Sequence, residues 1–499
     1  MYFSTRGAKQ SVTSAEAIIA GMAPDGGLFV PETIPKITLS ELQSLLDKSY
    51  QQQAFYVMGL LLADYSAAEL QQCINNAYSA QKFDHQGIAP LVAINDSTAV
   101  LELWHGPTSA FKDMALQLLP QLLTTALQKT GQHDEIVILV ATSGDTGKAA
   151  LEGFQDVKQT RIITFYPETG VSAIQRLQMV TQPGSNVSVI AVSGNFDGAQ
   201  SGVKEIFQAA DFNAQLRRSS LRLSSANSIN WGRLAPQIVY YFSAYLDWVK
   251  TGRLAWGQEV NFSVPTGNFG DILAGYYAKQ MGLPIGKLLC ASNANNVLTD
   301  FIKQGSYDAR RPFYQTASPS MDILISSNLE RLLYHLTQGD TARVKGWMDE
   351  LQATGHYQVS ADVMDKIKQL FYAGWINDEQ TGDTIKQVYE QHHYVLDPHT
   401  AVAWQIAANY RLASGDDRPC IVLSTASPFK FSDTVLGALT GKVVGGQSEF
   451  ELLKQLADIT DWKIPAGLAA LKNMPIRHEQ SCAPENMKQV VAQVLGQIK

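Results

Sequence analysis

Short, uninterrupted apolar runs recur along this chain, and each is followed by a loop and then by a segment with helical spacing. The six clearest runs occupy residues 135–142, 161–166, 187–193, 260–265, 287–291 and 420–425. Apolar runs without polar alternation are typical of strands buried on both faces, as in parallel sheets that helices cover. The pattern therefore predicts a doubly wound α/β fold, in which ligands bind at the carboxyl ends of the strands.

Two parts of the chain depart from this alternation. Residues 1–93 mix a glycine-rich segment with helical stretches and few strand-like runs, which predicts a small N-terminal domain of mixed structure. Residues 329–393 are rich in charge and in helix-forming residues, which predicts a helical insertion on the outside of the sheet domain. A chain of 499 residues has room for about two to three domains, so both parts fit beside a sheet core.

The charge balance is acidic and argues against polyanionic partners. The chain has 39 Lys and Arg against 46 Asp and Glu, a net charge of −7, and it contains no block of consecutive basic residues. Binding to nucleic acids or to anionic membrane surfaces usually relies on such a basic block or patch. We therefore expect no nucleic-acid partner and no membrane partner.

Cysteine usage and the first residues indicate a cytoplasmic protein. The four cysteines are spread along the chain without a C-x-x-C pair, which argues against a disulfide framework and against a structural zinc site. No apolar stretch reaches the roughly 18 residues of a membrane span, and the first residues lack the apolar core of a signal peptide. We expect a protein that stays in the reducing cytoplasm.

A glycine turn after the fourth run is a candidate anion site. Residues 264–277 read VPTGNFGDILAGYY, which is a strand end, a turn with Gly267 and Gly270, and a helical segment. Backbone N–H groups at the start of a helix bind phosphate without help from a lysine. The G-x-G-x-x-G spacing of dinucleotide sites is absent, and a lone G-x-x-G is more often a simple tight turn. Phosphate binding and a simple turn therefore both remain open on these residues.

A second loop with anion-binding character follows the first run. Its letters at residues 142–150, TSGDTGKAA, suggest a P-loop, but Thr142 stands where the first glycine belongs, and an alanine stands where a magnesium-binding hydroxyl belongs. What remains is a helix start rich in hydroxyls and N–H groups, including Ser143 and Thr146, which suits a carboxylate or another small anion. A well-capped helix without a ligand explains the same residues.

Lys112 occupies an unusual place for a lysine, at the start of a predicted helix. The segment HGPTSAFKDMAL at residues 105–116 has a Gly-Pro turn, then Thr108 or Ser109 as a cap, then apolar residues at helical spacing. The positive end of the helix dipole disfavours a charged amine and lowers its pKa. A neutral amine can form an imine with an aldehyde. The alternative is a lysine that is either solvated or paired with Asp113, and the two anion loops at other strand ends favour the reactive amine.

Several motifs, in order along the chain, resemble those of threonine synthases. They are STRG at residues 4–7, HGPTSAFKD at 105–113, TSGDTG at 142–147, SANSINWGR at 225–233, TGNFGD at 266–271, SPSMDI at 318–323 and STASPFKF at 424–431. The resemblance runs from end to end and is to the longer branch of that family, which carries an extra helical segment. Ordered motifs together identify a family where any single one is weak evidence.

The resemblance implies a fold, an activity and a cofactor. Threonine synthases are fold-type II pyridoxal-phosphate enzymes that convert O-phospho-L-homoserine and water to L-threonine and phosphate. This architecture implies two doubly wound sheet domains beside the N-terminal domain and the helical insertion. The large cofactor-binding domain would comprise residues 94–132 and 220–499, and a smaller mobile domain would comprise residues 133–219. We expect a monomer or a homodimer that takes the phosphorylated amino acid as its small-molecule substrate.

The resemblance also implies which residues hold pyridoxal phosphate. Lys112 would carry the cofactor covalently and would move protons along the substrate carbons. The loop that would bind the cofactor phosphate consists of Gly267, Asn268, Phe269, Gly270 and Asp271. Thr425 would place its hydroxyl on the pyridine nitrogen, which a hydroxyl cannot hold protonated as a carboxylate would. Asp145 would lie beside the cofactor, where shorter family members have Asn, and a direct contact with the ring stays open.

Substrate binding is implied by the same motifs. The substrate carboxylate would bind to Ser143 and Thr146, and the substrate phosphate would bind to Asn227, Ser228 and Arg233. A guanidinium suits a phosphate because it donates two charge-assisted hydrogen bonds in a fork, which a lysine cannot do. In the last motif Ser427 and Phe429 stand where histidine and alanine are frequent, so an acid–base role at residue 427 stays open.

Three other interpretations fit parts of this pattern. Another fold-type II lyase or dehydratase would use the same cofactor on a phosphorylated hydroxy-amino acid and would release a 2-oxo acid. A non-catalytic protein that binds phosphate or the cofactor would not need Lys112. A metal hydrolase would use His392, His393 and His399, but these residues lack the H-E-x-x-H spacing and lie beside an Asp-Pro turn.

Overall fold

Parallel strands form the centre of the computed structural model, which describes residues 1–142, 144–169, 171–194, 196–442 and 446–497. The strands are β1 (Tyr2–Ser4), β2 (Phe29–Pro31), β3 (Leu91–Ala93), β4 (Thr98–Glu102), β5 (Glu135–Ala141), β6 (Thr160–Pro167), β7 (Val187–Val192), β8 (Leu221–Ser224), β9 (Val260–Pro265), β10 (Ile285–Ser292), β11 (Ser306–Asp308), β12 (His356–Gln358), β13 (Phe371–Trp375), β14 (Cys420–Ser424) and β15 (Ser481–Cys482). All six runs predicted as strands are strands, so the predicted α/β class is confirmed.

Helices connect and cover these strands. They are α1 (Ser14–Ala20), α2 (Leu39–Ser44), α3 (Tyr50–Leu61), α4 (Ala67–Ala77), α5 (Asp113–Leu116), α6 (Leu119–Thr130), α7 (Asp145–Phe154), α8 (Ala173–Val180), α9 (Phe196–Gln208), α10 (Ala210–Arg218), α11 (Trp231–Lys250), α12 (Gly270–Met281), α13 (Val297–Gln304), α14 (Leu329–Leu336), α15 (Thr341–Thr354), α16 (Ala361–Leu370), α17 (Asp378–His392), α18 (Pro398–Ser414), α19 (Ser432–Thr440), α20 (Glu449–Thr460), α21 (Ala466–Ala470) and α22 (Met487–Val494). Within the described ranges, no helix combines the length and the apolar character needed to cross a membrane.

The larger sheet has six strands in the order β13-β10-β9-β14-β4-β3. All neighbours are parallel except β3, which pairs antiparallel with β4 at the edge. The carboxyl ends of β9, β14 and β4 therefore lie side by side at one end of the sheet. The loops that contain Lys112, Gly267 and Thr425 begin there, as expected for a ligand site in a sheet of this kind.

The smaller sheet has five strands in the order β15-β7-β6-β5-β8, and all of them are parallel. The predicted boundaries of the smaller domain, residues 133–219, differ from this arrangement. Strand β8 pairs with β5, and β15 near the C-terminus pairs with β7, so this sheet takes strands from separate parts of the chain. The mobility of this unit stays a prediction.

The N-terminal residues pack into the same hydrophobic core as the larger sheet. Helices α1, α3 and α4 begin at capping boxes on Thr13, Ser49 and Ser66, which explains where they start. Helices α1 and α3 pack against α11, a helix in which nearly every residue is buried, as is typical of a helix that is apolar on most faces. The predicted N-terminal domain at residues 1–93 therefore shares its core with the rest of the molecule.

The region predicted as a helical insertion, residues 329–393, is mainly helical but also contains strands. It includes α14, α15, α16 and α17, together with β12 and β13. Strand β13 pairs with β10 and forms one edge of the larger sheet. The prediction of an insertion on the outside of the sheet was wrong on this point. The five residues of β13 follow α16 directly and continue its helical pattern in the sequence, so they did not stand out as a strand.

Candidate active site

Loops from both sheets meet at the carboxyl ends of β4, β9 and β14. The Phe111 backbone N–H donates a hydrogen bond to the Thr425 carbonyl oxygen over 2.8 Å, which joins the loop after β4 to the end of β14. Asp145, at the start of α7 beside the smaller sheet, lies 3.9 Å from the Lys112 amine. The structure thus brings together residues that were predicted from separate motifs.

Lys112 is buried at the start of the four-residue helix α5. Its nearest carboxylate oxygen is Asp145 Oδ2, and the Phe111 ring centroid lies 4.7 Å from the amine. The pKa of Lys112 is lowered to about 8: burial is the largest cause, Asp145 opposes it, and the charges of Arg233 and Lys430 act in the same direction as burial. The sequence predicted a low pKa from the helix dipole, whereas the largest cause in the structure is burial.

Asp145 is the centre of a buried group of polar side chains. Its Oδ1 lies 2.6 Å from the Lys430 amine and accepts a hydrogen bond from the Gln175 amide over 2.8 Å. Its Oδ2 accepts a hydrogen bond from the Ser320 hydroxyl over 3.1 Å. Burial raises the pKa of a carboxyl, but Lys430 and Lys112 outweigh burial and hold the pKa of Asp145 well below its usual range. Asp145 is therefore ionised at neutral pH.

The glycine turn after β9 has the form of the predicted anion site. Phe269 precedes α12 with a φ of 65°, so the chain turns sharply into the helix. Among the described residues, none accepts a hydrogen bond from the backbone N–H groups of Gly267, Asn268 or Phe269. A Cβ on Gly267 would lie 3.0 Å from the Ser320 carbonyl oxygen, so this wall leaves no room for a side chain. Free donors before a helix of this length suit a phosphate.

The side chains of this turn have structural partners of their own. Asn268 Oδ1 accepts a hydrogen bond from the Gly270 N–H over 3.0 Å, which fixes the turn. Asp271 Oδ1 accepts hydrogen bonds from the hydroxyls of Tyr240 and Tyr241 in α11 over 2.6 and 3.0 Å. Burial raises the pKa of Asp271 to about 6. The turn residues therefore offer a ligand mainly their backbone N–H groups.

Arg233, in the first turn of α11, is a buried cation that has no carboxylate partner among the described residues. Its side chain donates one hydrogen bond, over 2.6 Å, to the Ala226 carbonyl oxygen. Burial lowers the pKa of Arg233 to about 10, and no carboxylate among the described residues counteracts that effect. A buried unpaired charge is costly to a fold. This position therefore suits an anion supplied by a ligand.

Ser228 links the loop before α11 to the glycine turn. Its hydroxyl accepts hydrogen bonds from the side-chain amides of Asn268 and Asn328, over 2.9 and 2.8 Å. With both acceptor positions of the oxygen used, this hydroxyl can only donate a further bond. Asn227, next to it, is half-buried. The loop thus presents a donor hydroxyl, as a phosphate requires.

Arg331 in α14 also binds the loop before α11. This fully buried guanidinium donates hydrogen bonds to the carbonyl oxygens of Phe29, Ser228 and Ile229 and to the side chain of Asn328, over 2.6 to 2.9 Å. It ties the N-terminal residues to the loop before α11. Arg331 therefore differs from Arg233, because its donors are used within the protein.

Thr425 is held close to Lys112 by a short antiparallel contact. The Ser427 N–H donates to the Ser109 carbonyl oxygen over 3.0 Å, beside the Phe111–Thr425 bond already described. Ser109 has a φ of 58°, which lets the chain turn between the two bonds. The Ser427 hydroxyl is buried and has no hydrogen-bond partner within the described part of the chain. These contacts fix the end of β14 relative to the lysine.

The loop after β5 is folded by the Thr142 hydroxyl. It accepts hydrogen bonds from the N–H groups of Gly144 and Gly147 over 3.0 and 2.8 Å. This threonine occupies the position that excluded a P-loop. Thr146 lies half-buried in the first turn of α7, while Ser143 lies outside the described residues. The predicted carboxylate site is therefore described at Thr146 only.

The metal-hydrolase interpretation finds no support in the described residues. No group of His, Cys, Asp and Glu there is arranged to hold a metal ion. His399 Nδ1 lies 2.8 Å from Asp397 Oδ1, and His399 Nε2 accepts a hydrogen bond from the Ser320 N–H over 3.1 Å. His399 thus supports the segment that contacts Asp145.

Four residues of the site were missed in the sequence. Lys430 and Ser320 contact Asp145, while Asn328 and Arg331 hold the loop before α11. Lys430 carried a usable signal, because a lysine between two phenylalanines after a buried strand is expected to be buried itself. Arg331 carried no such signal, because it lies in a segment that the sequence predicts to be an exterior helix.

Known proteins share both the sequence and the fold of this chain. Models for "Threonine synthase N terminus" and "Threonine synthase, C-terminal" match residues 1–78 and 400–491. Threonine synthase of Saccharomyces cerevisiae is 41% identical over 471 residues, which cover 88% of this chain and 89% of that protein. The chain belongs to the threonine synthase family. The resemblance inferred from the motifs is therefore confirmed.

A solved member of the threonine synthase family has the same architecture. The pyridoxal-phosphate-bound threonine synthase from Brucella melitensis has a TM-score of 0.86 at 37% identity, and the match covers 99% of each chain. The predicted fold-type II class is thus confirmed. A "threonine synthase-like 1" protein of Macaca fascicularis is 42% identical over 450 residues, but the chain spans only 59% of that protein's length.

Proposed function

We propose that this chain converts O-phospho-L-homoserine and water to L-threonine and phosphate, the last step of threonine biosynthesis, with pyridoxal phosphate as cofactor. The observation that carries the proposal is a pair of buried cations in one site, Lys112 and Arg233, in which the charge of Arg233 lowers the pKa of Lys112. Arg233 has no carboxylate partner among the described residues. A lysine of low pKa suits an aldehyde cofactor, and an unpaired guanidinium suits a substrate phosphate.

The described residues fit pyridoxal phosphate at this place. The Lys112 amine would hold the cofactor at its aldehyde carbon, and the free N–H groups of the turn that contains Gly267 and Asn268 would bind the cofactor phosphate. Thr425 would place its hydroxyl on the pyridine nitrogen, as the resemblance implies. When bound, the cofactor supplies an electron sink for negative charge on the substrate carbons.

Each protein residue then has a physical task. Lys112, with a pKa near neutrality, is suited to take up and release protons at the substrate carbons. Arg233 and the donor hydroxyl of Ser228 would hold the substrate phosphate, together with Asn227. Thr146, with Ser143, would hold the substrate carboxylate at the start of α7. These contacts would orient the substrate and neutralise its charges.

We also propose the location, the oligomeric state and the partners of the protein. The protein would be cytoplasmic and would act as a monomer or a homodimer on its small-molecule substrate. Its net charge of −7, without a basic block, supports the absence of a nucleic-acid partner.

Product analysis tests the proposed reaction. The full-length protein loaded with pyridoxal phosphate is incubated with O-phospho-L-homoserine, and threonine, phosphate, ammonia and 2-oxo acid are measured. We expect equal amounts of threonine and phosphate. A 2-oxo acid with ammonia in place of threonine would assign the chain to the lyase or dehydratase alternative. Borohydride reduction followed by peptide mass spectrometry is expected to locate the cofactor on Lys112.

Gly267→Ala tests whether the wall of the cofactor site is as close as the structure shows. The added Cβ would lie 3.0 Å from the Ser320 carbonyl oxygen and 3.2 Å from Met321 Cα, and these backbone atoms must move. We expect the affinity for pyridoxal phosphate to fall about tenfold, since overpacking typically costs roughly 1–3 kcal/mol. A spectroscopic titration measures it. Gly346→Ala in α15 is the control, because in the described part of the chain no atom beyond its chain neighbours and its own helix backbone lies within 4 Å of the added Cβ, and this variant should bind normally.

A further inference from the structure

Lys430 is one of the buried cations of the site. Its side chain is fully buried in the turn after β14, and its amine lies 2.6 Å from Asp145 Oδ1. The same amine donates a hydrogen bond to the Thr108 carbonyl oxygen over 2.9 Å. The two contacts connect the turn after β14 to the loop after β4 and to the start of α7.

Asp145 therefore lies between two lysines at unequal distances. Lys430 is in direct contact with one oxygen, whereas Lys112 lies 3.9 Å from the other, which is beyond hydrogen-bond distance. Bonds from Gln175 and Ser320 complete the surroundings of the carboxylate. Without Lys430, Lys112 would be the only ammonium group beside a buried carboxylate, and the two would close to a direct ion pair.

We propose that Lys430 is a positioning residue that acts through Asp145: it keeps the carboxylate away from the Lys112 amine and so leaves that amine free to react with the aldehyde of pyridoxal phosphate. The inference rests on the proposed function. In the step concerned, the Lys112 nitrogen forms a C=N bond to the aldehyde carbon. The aldehyde oxygen leaves as water with the two protons of the neutral amine.

The charges around Lys112 fix the direction of the effect. The groups that act on it are Asp145 from α7, Arg233 from α11, Lys430 from the turn after β14 and Asp271 from α12. Arg233 and Lys430 lower the pKa of Lys112, and the two carboxylates raise it, Asp145 more strongly than Lys430 lowers it. Removing Lys430 alone therefore raises the pKa of Lys112, and removing Lys430 together with the Asp145 charge does not.

The rate at which pyridoxal phosphate attaches to Lys112 tests the proposal without an activity assay. Full-length protein freed of cofactor is mixed with pyridoxal phosphate between pH 6 and pH 10, and attachment is followed by absorbance and located by borohydride reduction. Because only the neutral amine reacts, the rate rises with pH up to the pKa of Lys112, about 8. In Lys430→Met we expect the rise to move to higher pH and the rate at pH 7 to fall about tenfold, as for a one-unit change.

Two further variants distinguish a positioning role of Lys430 from general damage to the fold. The double variant Asp145→Asn, Lys430→Met is expected to react at pH 7 at least as fast as the unchanged protein, because the carboxylate closest to Lys112 is removed together with Lys430. Lys148→Met is the matched control, since Lys148 is another buried lysine, which lies in α7 and is paired with Glu152 over 2.9 Å. It should react normally even if the fold is weakened.

The outcomes distinguish this inference from the function on which it rests. If the unchanged protein does not attach the cofactor at Lys112, the proposed function fails and the inference fails with it. If the unchanged protein attaches it and Lys430→Met has the same pH profile, only the positioning role of Lys430 is wrong. A double variant as slow as Lys430→Met would show general damage and would also overturn that role.

Discussion

Lys112→Met is expected to reduce threonine formation by about a thousandfold or more while the protein stays folded. The variant has no amine to hold the cofactor or to move protons between substrate carbons, and proton transfer by a positioned group alone contributes roughly 10²–10⁴-fold. Steady-state release of phosphate and threonine measures the loss. The cofactor should remain unmodified after borohydride treatment, because no C=N bond to residue 112 forms.

The expected stability of this variant makes the prediction specific. The Lys112 amine is desolvated and lies 3.9 Å from its nearest carboxylate oxygen, so its removal breaks no hydrogen bond. The free energy of unfolding should therefore be unchanged or higher, as when a buried charge is replaced by an apolar group of similar size. Lys129→Met, which removes a partly exposed lysine paired with Glu69 over 3.0 Å, is the activity control. A variant at residue 112 with activity within tenfold of normal contradicts the assigned role.

Much of this site can be predicted from local sequence, because the loops that form the site follow buried strands. A run such as Val260–Pro265 is recognisable from its own residues, and the glycines that follow it mark a turn at the carboxyl end of a strand. The positions of Lys112 and Thr425 follow from the same rule. Parallel strands place these loops at one end of the sheet, so the gathering of the motifs can be inferred without coordinates.

Contacts between distant side chains could not be inferred in this way. Nothing local to Asp145 or Lys430 indicates that they meet, because one follows the smaller sheet and the other the larger. The burial that lowers the pKa of Lys112 likewise comes from several elements, so the sequence suggested a helix dipole instead. The strand Phe371–Trp375 was missed because its pairing with β10 is a tertiary contact.

Arg233→Met is expected to weaken catalysis strongly and to stabilise the protein. Loss of a charge-assisted fork to the substrate phosphate should lower kcat/KM by about 10²–10³-fold, in line with roughly 2–5 kcal/mol for a buried hydrogen-bonded charge pair. Arg233→Lys keeps the charge but not the fork, so a smaller loss of about tenfold is expected. Steady-state kinetics with O-phospho-L-homoserine measures both variants.

Arg331→Met is the matched control, because replacing the two buried arginines is expected to change the free energy of unfolding in opposite directions. Arg233 has burial as the only influence on its pKa and has no carboxylate partner in the described residues, so an apolar replacement should raise the free energy of unfolding of the ligand-free protein. Arg331 donates to the carbonyl oxygens of Phe29, Ser228 and Ile229, and its loss removes this donor from two buried acceptors and one half-buried acceptor. At about 1–3 kcal/mol for each unsatisfied group, Arg331→Met should be clearly destabilised. Denaturant unfolding of both variants decides the matter: if Arg233→Met is destabilised as much as Arg331→Met, Arg233 is a structural residue rather than a site kept for a ligand anion.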